Sequence, residues 1–298
     1  PRPFDGRCPY PGLAPFREAD AALFFGRERI VQQLVEHLAD GPATFVIGPS
    51  GSGKSSLAQA GLFASLKRNA LRDSSDWRYA TLSPGRSPLL ALSRALPILT
   101  GSLESGQDLL DHAPNDPSRL ARWLQSSLQS STNARAVLMV DPLEEVFTQT
   151  TDELERLAFL SQLSNAVAQA ADGFRLILVM RSDFVGACAR YPAINDLLRT
   201  GLTQVGGLNP EELVRAVALP AMRVGLRIDP DLVTTILADV RDEPGVLPLL
   251  QFALRDLFEA ERGPDGVPSL TLDGYWRRGG LRQALRRHAD QVYASLTS

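Results

Sequence analysis

The fold class is decided by the segment Ala43-Thr-Phe-Val-Ile-Gly48-Pro-Ser-Gly-Ser-Gly-Lys54-Ser-Ser56. Its first six residues are mostly apolar and rich in β-branched side chains, which is typical of a buried strand. Glycines and serines then interrupt the run, and the chain returns to a helical spacing of apolar side chains at Leu57, Ala58, Leu62 and Phe63. The order of strand, loop and helix predicts the start of an α/β fold.

The loop between this strand and helix, residues 48–55, matches the pattern G-x-x-x-x-G-K-[ST] of a phosphate-binding loop, or P-loop. Its backbone N–H groups and the positive end of the helix dipole can surround a phosphate. Lys54 would reach the β- and γ-phosphate oxygens, and the Ser55 hydroxyl would bind Mg²⁺. A glycine-rich turn without a ligand is the alternative. The predicted nucleotide-binding residues here are Gly48, Pro49, Ser50, Gly51, Ser52, Gly53, Lys54, Ser55 and Ser56.

Two further apolar runs, 136–140 and 174–180, have the length of strands and no polar face, as expected in a parallel sheet covered on both sides. The helical pattern 152–171 lies between them and carries apolar residues at Leu154, Leu157, Leu160, Leu163 and Val167. Weaker strand signals at 78–83 and 204–208 complete five strands. We therefore predict an α/β P-loop NTPase fold, a three-layer sandwich around a parallel sheet.

Beyond residue 208 the patterns are helical. Asn209-Pro210 and Asp229-Pro230 each combine a preferred N-cap residue with a proline at the first helical position. We predict three parts: an N-terminal linker motif at 1–19, a P-loop nucleotide-binding domain at 20–208 and a small all-α helical domain at 209–298.

Candidate catalytic residues follow the second and third apolar runs. Asp141 stands where a carboxylate would organise Mg²⁺, and either Glu144 or Glu145 would position the attacking water, with Glu144 slightly favoured. N-terminal acids of the next helix are the alternative for all three. Arg181 would sense the γ-phosphate, or would form an ordinary ion pair with Asp183.

Composition excludes several classes of protein. The chain has 298 residues, 44% of them hydrophobic and 22% charged, which indicates globular domains and not a disordered chain. A net charge of −3 gives no basic field, so we expect no nucleic-acid partner. No apolar run has the length of a membrane span, so we expect no membrane contact and a cytoplasmic location. Cys188 is predicted to be a core residue and His288 to lie on a solvated face.

Several motifs together resemble the bacterial STAND NTPases, the signal-transduction ATPases with numerous domains, and in particular the group often joined to WD-type repeats. They cover nearly the whole chain. The segments that carry the resemblance are 8–16, 20–28, 48–56, 140–148, 180–184, 243–250 and 272–275.

The resemblance implies ATP and ADP as ligands, with Mg²⁺. It implies that Phe25, Gly26 and Arg27 pack on the adenine side, that Arg181 is the first sensor and that Pro248 closes over the base. It also implies a slowly hydrolysing switch that forms a homo-oligomer on activation, with sensor and effector domains elsewhere in a longer signalling or defence protein.

One residue departs from the family pattern. Pro142 follows Asp141, where the family usually has glutamine or another polar residue, and proline has no backbone N–H to donate. Slower hydrolysis or a reshaped loop would follow. Three alternatives therefore stay open: an AAA+ initiator-like DNA-binding ATPase, a nucleotide-dependent kinase and a non-hydrolysing ATP-binding scaffold.

Overall fold

The computed structural model describes residues 3–128, 135–170, 173–199, 201–240, 245–261, 267–281, 283 and 286. The chain divides into two compact units. We call the first the sheet unit, residues 29–49 and 62–205, and the second the composite unit, because it is assembled from the three segments 1–28, 50–61 and 206–298.

The sheet unit contains a five-stranded parallel sheet of strand order β2-β3-β4-β1-β5. Its strands confirm the predicted α/β architecture. The bounds are β1 Ala43–Gly48, β2 Arg78–Leu82, β3 Ala136–Val140, β4 Phe174–Arg181 and β5 Leu202–Gln204. Every residue of β1 and β3, and all but the last of β4, is buried, because both faces of the sheet are covered.

The fifth strand was predicted too late in the chain. It spans Leu202–Gln204 and not 204–208, because residues 202–204 are the ones that pair with Phe45–Ile47 of β1. Val205 adds a last hydrogen bond from its N–H to the Ile47 carbonyl (2.6 Å), and the glycines at 206 and 207 then end the extended segment. The apolar side chains at 205 and 208 had suggested the later position.

The register places functional candidates along one edge of the sheet. Gly48 of β1 lies opposite Arg181 of β4, and Val140 of β3 lies opposite Leu178. Since all five strands are parallel, Gly48, Asp141 and Arg181 stand at the carboxyl edge of the sheet, where ligands of open α/β sheets bind.

The α-helices that lie mostly or wholly within the sheet unit's segments are α1 Glu28–Asp40, α3 Ala64–Lys67, α4 Pro88–Thr100, α5 Glu104–His112, α6 Arg119–Leu128, α7 Glu145–Thr148, α8 Glu153–Gln169, α9 Val185–Cys188 and α10 Pro192–Leu198. The P-loop is followed by α2 Lys54–Ser56 and by a π-helical stretch, Leu57–Phe63, that runs into α3. The predicted buried residues Leu57, Ala58, Leu62 and Phe63 are all buried.

The predicted apolar face of α8 is only partly correct. Leu160, Leu163 and Val167 are buried, but Leu154 is 76% exposed and Leu157 is 43% exposed. Each step of three residues falls about 60° short of a full helical turn, so Leu154 lies about 180° around the helix from Leu163. The buried face is completed instead by residues at positions with the true helical period, Phe159 and Ala166.

The composite unit contains α11 Pro210–Arg223, α12 Pro230–Val240, α13 Leu247–Ala260 and α14 Leu272–Arg277. Asn209 caps α11 as predicted: its Oδ1 accepts from the Glu212 N–H and the Glu212 carboxylate accepts from the Asn209 N–H, each at 2.9 Å. A short parallel pair of strands, β6 Arg227–Ile228 and β7 Ser269–Leu270, was not predicted. Each strand has only two residues, which is too short to show a strand's alternation of apolar and polar side chains. No helix among the described residues is both long and apolar enough to cross a membrane.

Candidate functional site

The composite unit encloses a cavity of about 240 Å³. The P-loop contributes four of its lining residues and the adjacent Ser56 a fifth, and three of the residues expected on the base side line it as well. The predicted residues in its lining are Phe25, Arg27, Gly51, Gly53, Lys54, Ser55, Ser56 and Pro248. Gly26, Gly48, Pro49, Ser50 and Ser52 are not among its lining residues.

The remaining lining residues were not predicted as site residues. Most of these residues are apolar, and they come from the N-terminal segment and from the helical region: Gly12, Leu13, Ala14, Pro15, Phe16, Leu23, Phe24, Leu208, Ala216, Leu247, Leu250 and Gln251. A cavity that joins an ammonium group and hydroxyls to many apolar side chains suits a ligand with an anionic part and a flat apolar part.

Close backbone packing shapes the P-loop. Gly51 has φ +73°, and a Cβ atom placed on it would lie 2.6 Å from the carbonyl oxygen of Gly245. A Cβ on Gly245, at φ +77°, would lie 2.9 Å from the Ser50 carbonyl oxygen. Glycine is therefore required on both sides of this contact. Gly245 was missed as a site residue, although its place in the 243–250 motif was a usable signal. Glu243 and Pro244 of that motif lie outside the described residues.

Arg27 holds the P-loop from the other side. Its guanidinium, in a residue only 7% exposed, donates to the Ser52 carbonyl (3.1 Å) and to the Gly206 carbonyl (2.7 Å). Burial lowers the pKa of Arg27 from its ordinary value. Arg27 was expected on the adenine side, and the contacts observed for its guanidinium are with backbone carbonyls of the P-loop and of the segment after β5.

The lining fits an anionic, hydrogen-bonding ligand. Lys54 is buried, and a buried ammonium beside a cavity favours negative charge there. Gln251 Oε1, in the lining, is buried with no hydrogen-bond partner among the described residues, and so is Ser52 Oγ, which belongs to the P-loop but not to the lining. Buried polar atoms of this kind are uncommon in folded proteins and often indicate a group that binds there. For Mg²⁺, the predicted ligands Ser55 and Asp141 are oxygen donors of the type this ion prefers.

The acidic loop of the sheet unit is held by hydrogen bonds to both neighbouring strands. The Asp141 N–H donates to Leu82 O (3.0 Å) at the end of β2, and the Leu143 N–H donates to Val179 O (2.8 Å) on β4. Ser83 Oγ donates to the Asp141 carbonyl (2.6 Å). The Asp141–Pro142 peptide bond is cis, and Asp141 is buried.

The two glutamates of this loop point to different strands. The Glu144 carboxylate accepts from the Arg181 N–H (3.2 Å) at the end of β4. The Glu145 carboxylate accepts from the Gly85 N–H (3.0 Å), in the loop that follows β2. Because β4 is the neighbour of β1 and β2 is at the far edge, Glu144 lies nearer the strand that leads into the P-loop.

Arg181 forms an ion pair with Asp183, which was the alternative to a role as γ-phosphate sensor. Its Nη2 lies 2.7 Å from Asp183 Oδ2 and its Nε donates to Asp183 Oδ1 (3.1 Å), with both side chains substantially exposed. Cys188 is a core residue as predicted: it is buried beside Met180, and burial raises the pKa of its thiol to about 11. His288 lies outside the described residues.

Solved structures with a similar fold include origin-recognition proteins. Aeropyrum pernix ORC2 in ADPNP–ADP complexes matches with TM-score 0.60 and 15% identity, over 88% of this chain and 68% of that one. Aeropyrum pernix ORC1 in complex with DNA matches with TM-score 0.57 and 16% identity, over 89% and 65%. Drosophila ORC bound to DNA matches with TM-score 0.51 and 18% identity, over 91% and 60%.

The chain thus spans less than two thirds of the two chains solved with DNA. At these identities the likeness shows the fold alone. The expectation that nucleic acid is not a partner gains no support from these comparisons, since two of the proteins were solved with DNA. No curated protein matches the chain in sequence.

A family model, Novel STAND NTPase 1, matches residues 9–298, from the N-terminal motif to the end of the chain. The match confirms the resemblance drawn from the sequence motifs, although it says nothing about WD-type repeats. The chain belongs to the novel STAND NTPase 1 family and is a nucleotide-binding P-loop NTPase.

Proposed function

We propose that this protein is an ATP-dependent regulatory switch, which binds ATP with Mg²⁺, hydrolyses it slowly and uses the nucleotide state to control conformation and homo-oligomerisation within a larger signalling or defence protein. The observation that carries the proposal is the cavity of the composite unit, where the P-loop residues meet apolar side chains from the N-terminal segment and the helical region. Family membership supports the nucleotide part.

The residues of the P-loop supply the affinity in this proposal. Backbone N–H groups of residues 48–55 and the Lys54 ammonium hold the phosphates, and the apolar side chains hold the base. Ser55 and Asp141 hold Mg²⁺, which would neutralise charge on the phosphate oxygens. Phe25, Gly26, Arg27 and Pro248 remain the residues proposed for the base side, and the domain bounds 1–19, 20–208 and 209–298 also remain a proposal.

For hydrolysis we assign the water-positioning role to Glu144, because its carboxylate lies beside the end of β4, next to β1. Glu145 is directed to the loop after β2 and is proposed to support that loop. Arg181 is proposed to exchange its ion pair with Asp183 for the γ-phosphate. An exposed ion pair contributes at most about 1 kcal/mol, so the exchange is easily driven.

A switch needs states that differ in their affinity for ATP and ADP. A contact to the γ-phosphate shifts such an equilibrium only by its differential binding energy. Slow hydrolysis then sets how long the ATP state lasts.

The test combines titration calorimetry with Mg-ATP and measurement of ADP release by four variants. Lys54→Ala removes the phosphate-binding cation and is expected to weaken ATP binding about 100-fold or more. Glu144→Gln is expected to keep ATP binding and to lower ADP release about 100-fold, whereas Glu145→Gln has a small effect on it. Lys67→Ala is the matched control, because Lys67 is the only other lysine and lies over the Tyr79 ring in the sheet unit.

Each alternative gives a different result in the same experiments. Equal ADP release by the intact protein, Lys54→Ala and Glu144→Gln would remove the hydrolytic switch. ATP binding without any ADP release would support the non-hydrolysing scaffold, and phosphate transfer to an added acceptor would support the kinase.

The fold likeness to DNA-bound origin-recognition proteins keeps the DNA-binding ATPase as a second candidate. Titration of labelled duplex DNA at low and physiological salt separates it from the switch. Low-micromolar binding that weakens steeply with salt would support the DNA-binding reading. Light scattering with ATP and with ADP tests the oligomer: an unchanged mass in both states would contradict the proposed assembly.

A further inference from the structure

We infer that the N-terminal segment of residues 10–16, here called the strap, is a base-binding wall of the nucleotide site. The inference rests on the proposed binding of ATP and goes beyond it, because the sequence motifs indicated only a linker at 1–19. It names a set of residues, centred on Leu13 and Pro15, that contact the nucleobase by apolar packing.

The strap contributes an unbroken run of residues to the cavity. Gly12 to Phe16 all line it, together with four residues of the P-loop and the adjacent Ser56. The P-loop supplies the charged and hydroxyl groups that suit phosphates, at Lys54, Ser55 and Ser56. The strap supplies hydrocarbon from Leu13, Ala14, Pro15 and Phe16, which suits the flat apolar face of a base and not a phosphate.

The strap is fixed at both ends by hydrogen bonds within the composite unit. The hydroxyl of Tyr10, a fully buried residue, donates to the Val217 carbonyl at 2.7 Å. Burial raises the pKa of this phenol, so it remains a donor. At the other end the Phe16 N–H donates to Ser56 Oγ at 3.1 Å, and the Phe16 ring meets the Phe24 ring edge-on at 5.6 Å.

The middle of the strap contains a turn and a partly exposed side chain. Arg255 donates to the Pro11 carbonyl (3.2 Å), and Gly12 takes φ +75° where the chain turns. Leu13, the next residue, lines the cavity and yet is 43% exposed. Its side chain is therefore positioned to lose solvent exposure when a base occupies the cavity.

The bond from Phe16 to Ser56 connects the strap to the phosphate-binding loop. Ser56 follows Ser55, the proposed Mg²⁺ ligand, and both line the cavity. A ligand that has phosphates but no base would engage only the P-loop side. A nucleotide would engage both, and this difference allows the strap to be tested separately from the P-loop.

The experiment measures maleimide labelling of Leu13→Cys in a Cys8→Ser background; Cys188 is buried and stays unchanged. Labelling rates are compared without ligand, with inorganic tripolyphosphate and with Mg-ATP at concentrations that calorimetry shows to be saturating. We expect Mg-ATP to slow labelling about fivefold or more and tripolyphosphate to change it less than about twofold. Met222→Cys is the control, because Met222 is 61% exposed on α11 and is not in the lining.

A second variant provides an independent measurement. Leu13→Ala combined with Pro15→Ala is expected to weaken ATP binding about tenfold and to leave tripolyphosphate binding unchanged, because only the apolar packing is reduced. Calorimetry with Mg-ATP and with tripolyphosphate measures the change in affinity for each ligand.

The outcomes separate this inference from the proposed function. If the intact protein binds ATP but Leu13→Cys is labelled at the same rate with and without it, the base-binding role of the strap is overturned. Equal loss of ATP and tripolyphosphate binding in the double variant would overturn it as well. If the intact protein shows no heat with Mg-ATP, the proposed function itself fails, and the strap assignment fails with it.

Discussion

The sheet unit and the composite unit are built from the chain in different ways. Three strands of the sheet unit, β1, β3 and β4, each come from one short apolar run, and they pair along nearly their whole length. The cavity of the composite unit is lined by residues of its three separate segments, which lie up to about 240 positions apart in the sequence. Local sequence patterns therefore predict the main strands of the first unit, but they do not predict which residues line the cavity of the second.

The two units also differ in what their buried residues contribute. Phe45 is completely buried among other core side chains of the sheet unit. Phe16 is also buried, but one side of it lines the cavity. We therefore expect truncation in the sheet unit to reduce stability, and truncation around the cavity to reduce ligand affinity. The following predictions test that difference, in order of decreasing effect.

Phe45→Ala is expected to lower the free energy of unfolding by about 3–5 kcal/mol, because it leaves a cavity in a closely packed core. ATP affinity of the folded protein should change less than about twofold. Phe16→Ala should lose only about 1–2 kcal/mol of stability but weaken ATP binding about tenfold. Urea unfolding and calorimetry measure both quantities. The distinction between the units fails if Phe16→Ala is as destabilising as Phe45→Ala and leaves affinity unchanged.

Gly51→Ala is expected to weaken ATP binding about 30- to 100-fold, because the new Cβ would collide with the Gly245 carbonyl and strain the P-loop. Gly85→Ala is the matched control, since Gly85 also has a positive φ (+59°) but has nothing within 4 Å of an added Cβ. It should reduce stability by about 1 kcal/mol and leave ATP affinity unchanged. Equal affinities for the two variants would show that the Gly51–Gly245 contact does not shape the site.

Gln251→Leu is expected to change stability and affinity in opposite directions. Replacing a buried carbonyl oxygen that has no partner among the described residues with an apolar group should be neutral or stabilise the ligand-free protein by up to about 1 kcal/mol. ATP binding should weaken about fivefold if the ligand supplies the missing donor. Thermal unfolding with and without Mg-ATP measures both effects. A variant that binds ATP as tightly as the intact protein would show that Gln251 does not contact the ligand.

Asp108→Asn tests the acid stability of the sheet unit, away from the cavity. Arg119 holds the pKa of Asp108 at about 2, with further help from the Trp123 N–H. Because the folded-state pKa is depressed, this stabilisation is present above the unfolded pKa of about 4 and disappears as the pH falls through about 2. At neutral pH the variant should be less stable by about 1 kcal/mol, after allowing for solvent screening.

Below pH 2 the variant and the intact protein should have equal stability. Urea unfolding between pH 2 and pH 7 follows the difference, and ATP affinity at pH 7 should not change. A stability difference that persists unchanged to pH 2 would contradict the assigned role of the carboxylate.

Sequence patterns predicted a structural feature correctly where that feature depends on residues close together in the chain. The strand 43–48, the loop and helix that follow it and the N-cap at Asn209 each depend on residues close together in the chain, and the structure contains all of them. The two failures have different causes. Three-residue spacing placed Leu154 on the wrong side of α8, and the position of β5 depended on its partner strand, which a single run of residues does not show.

The sequence by itself determined the α/β class and the family of this protein and predicted the phosphate-binding loop, because those depend on residue types at fixed spacing. Only the tertiary structure decided which distant residues share the cavity. Gly245 packs against the P-loop, the strap is hydrogen-bonded to Ser56 directly after it, and Gln251 lines the same cavity, although these segments are far apart in the chain. Such contacts depend on how the buried surfaces of several elements fit together, and this leaves no periodic signal in the sequence.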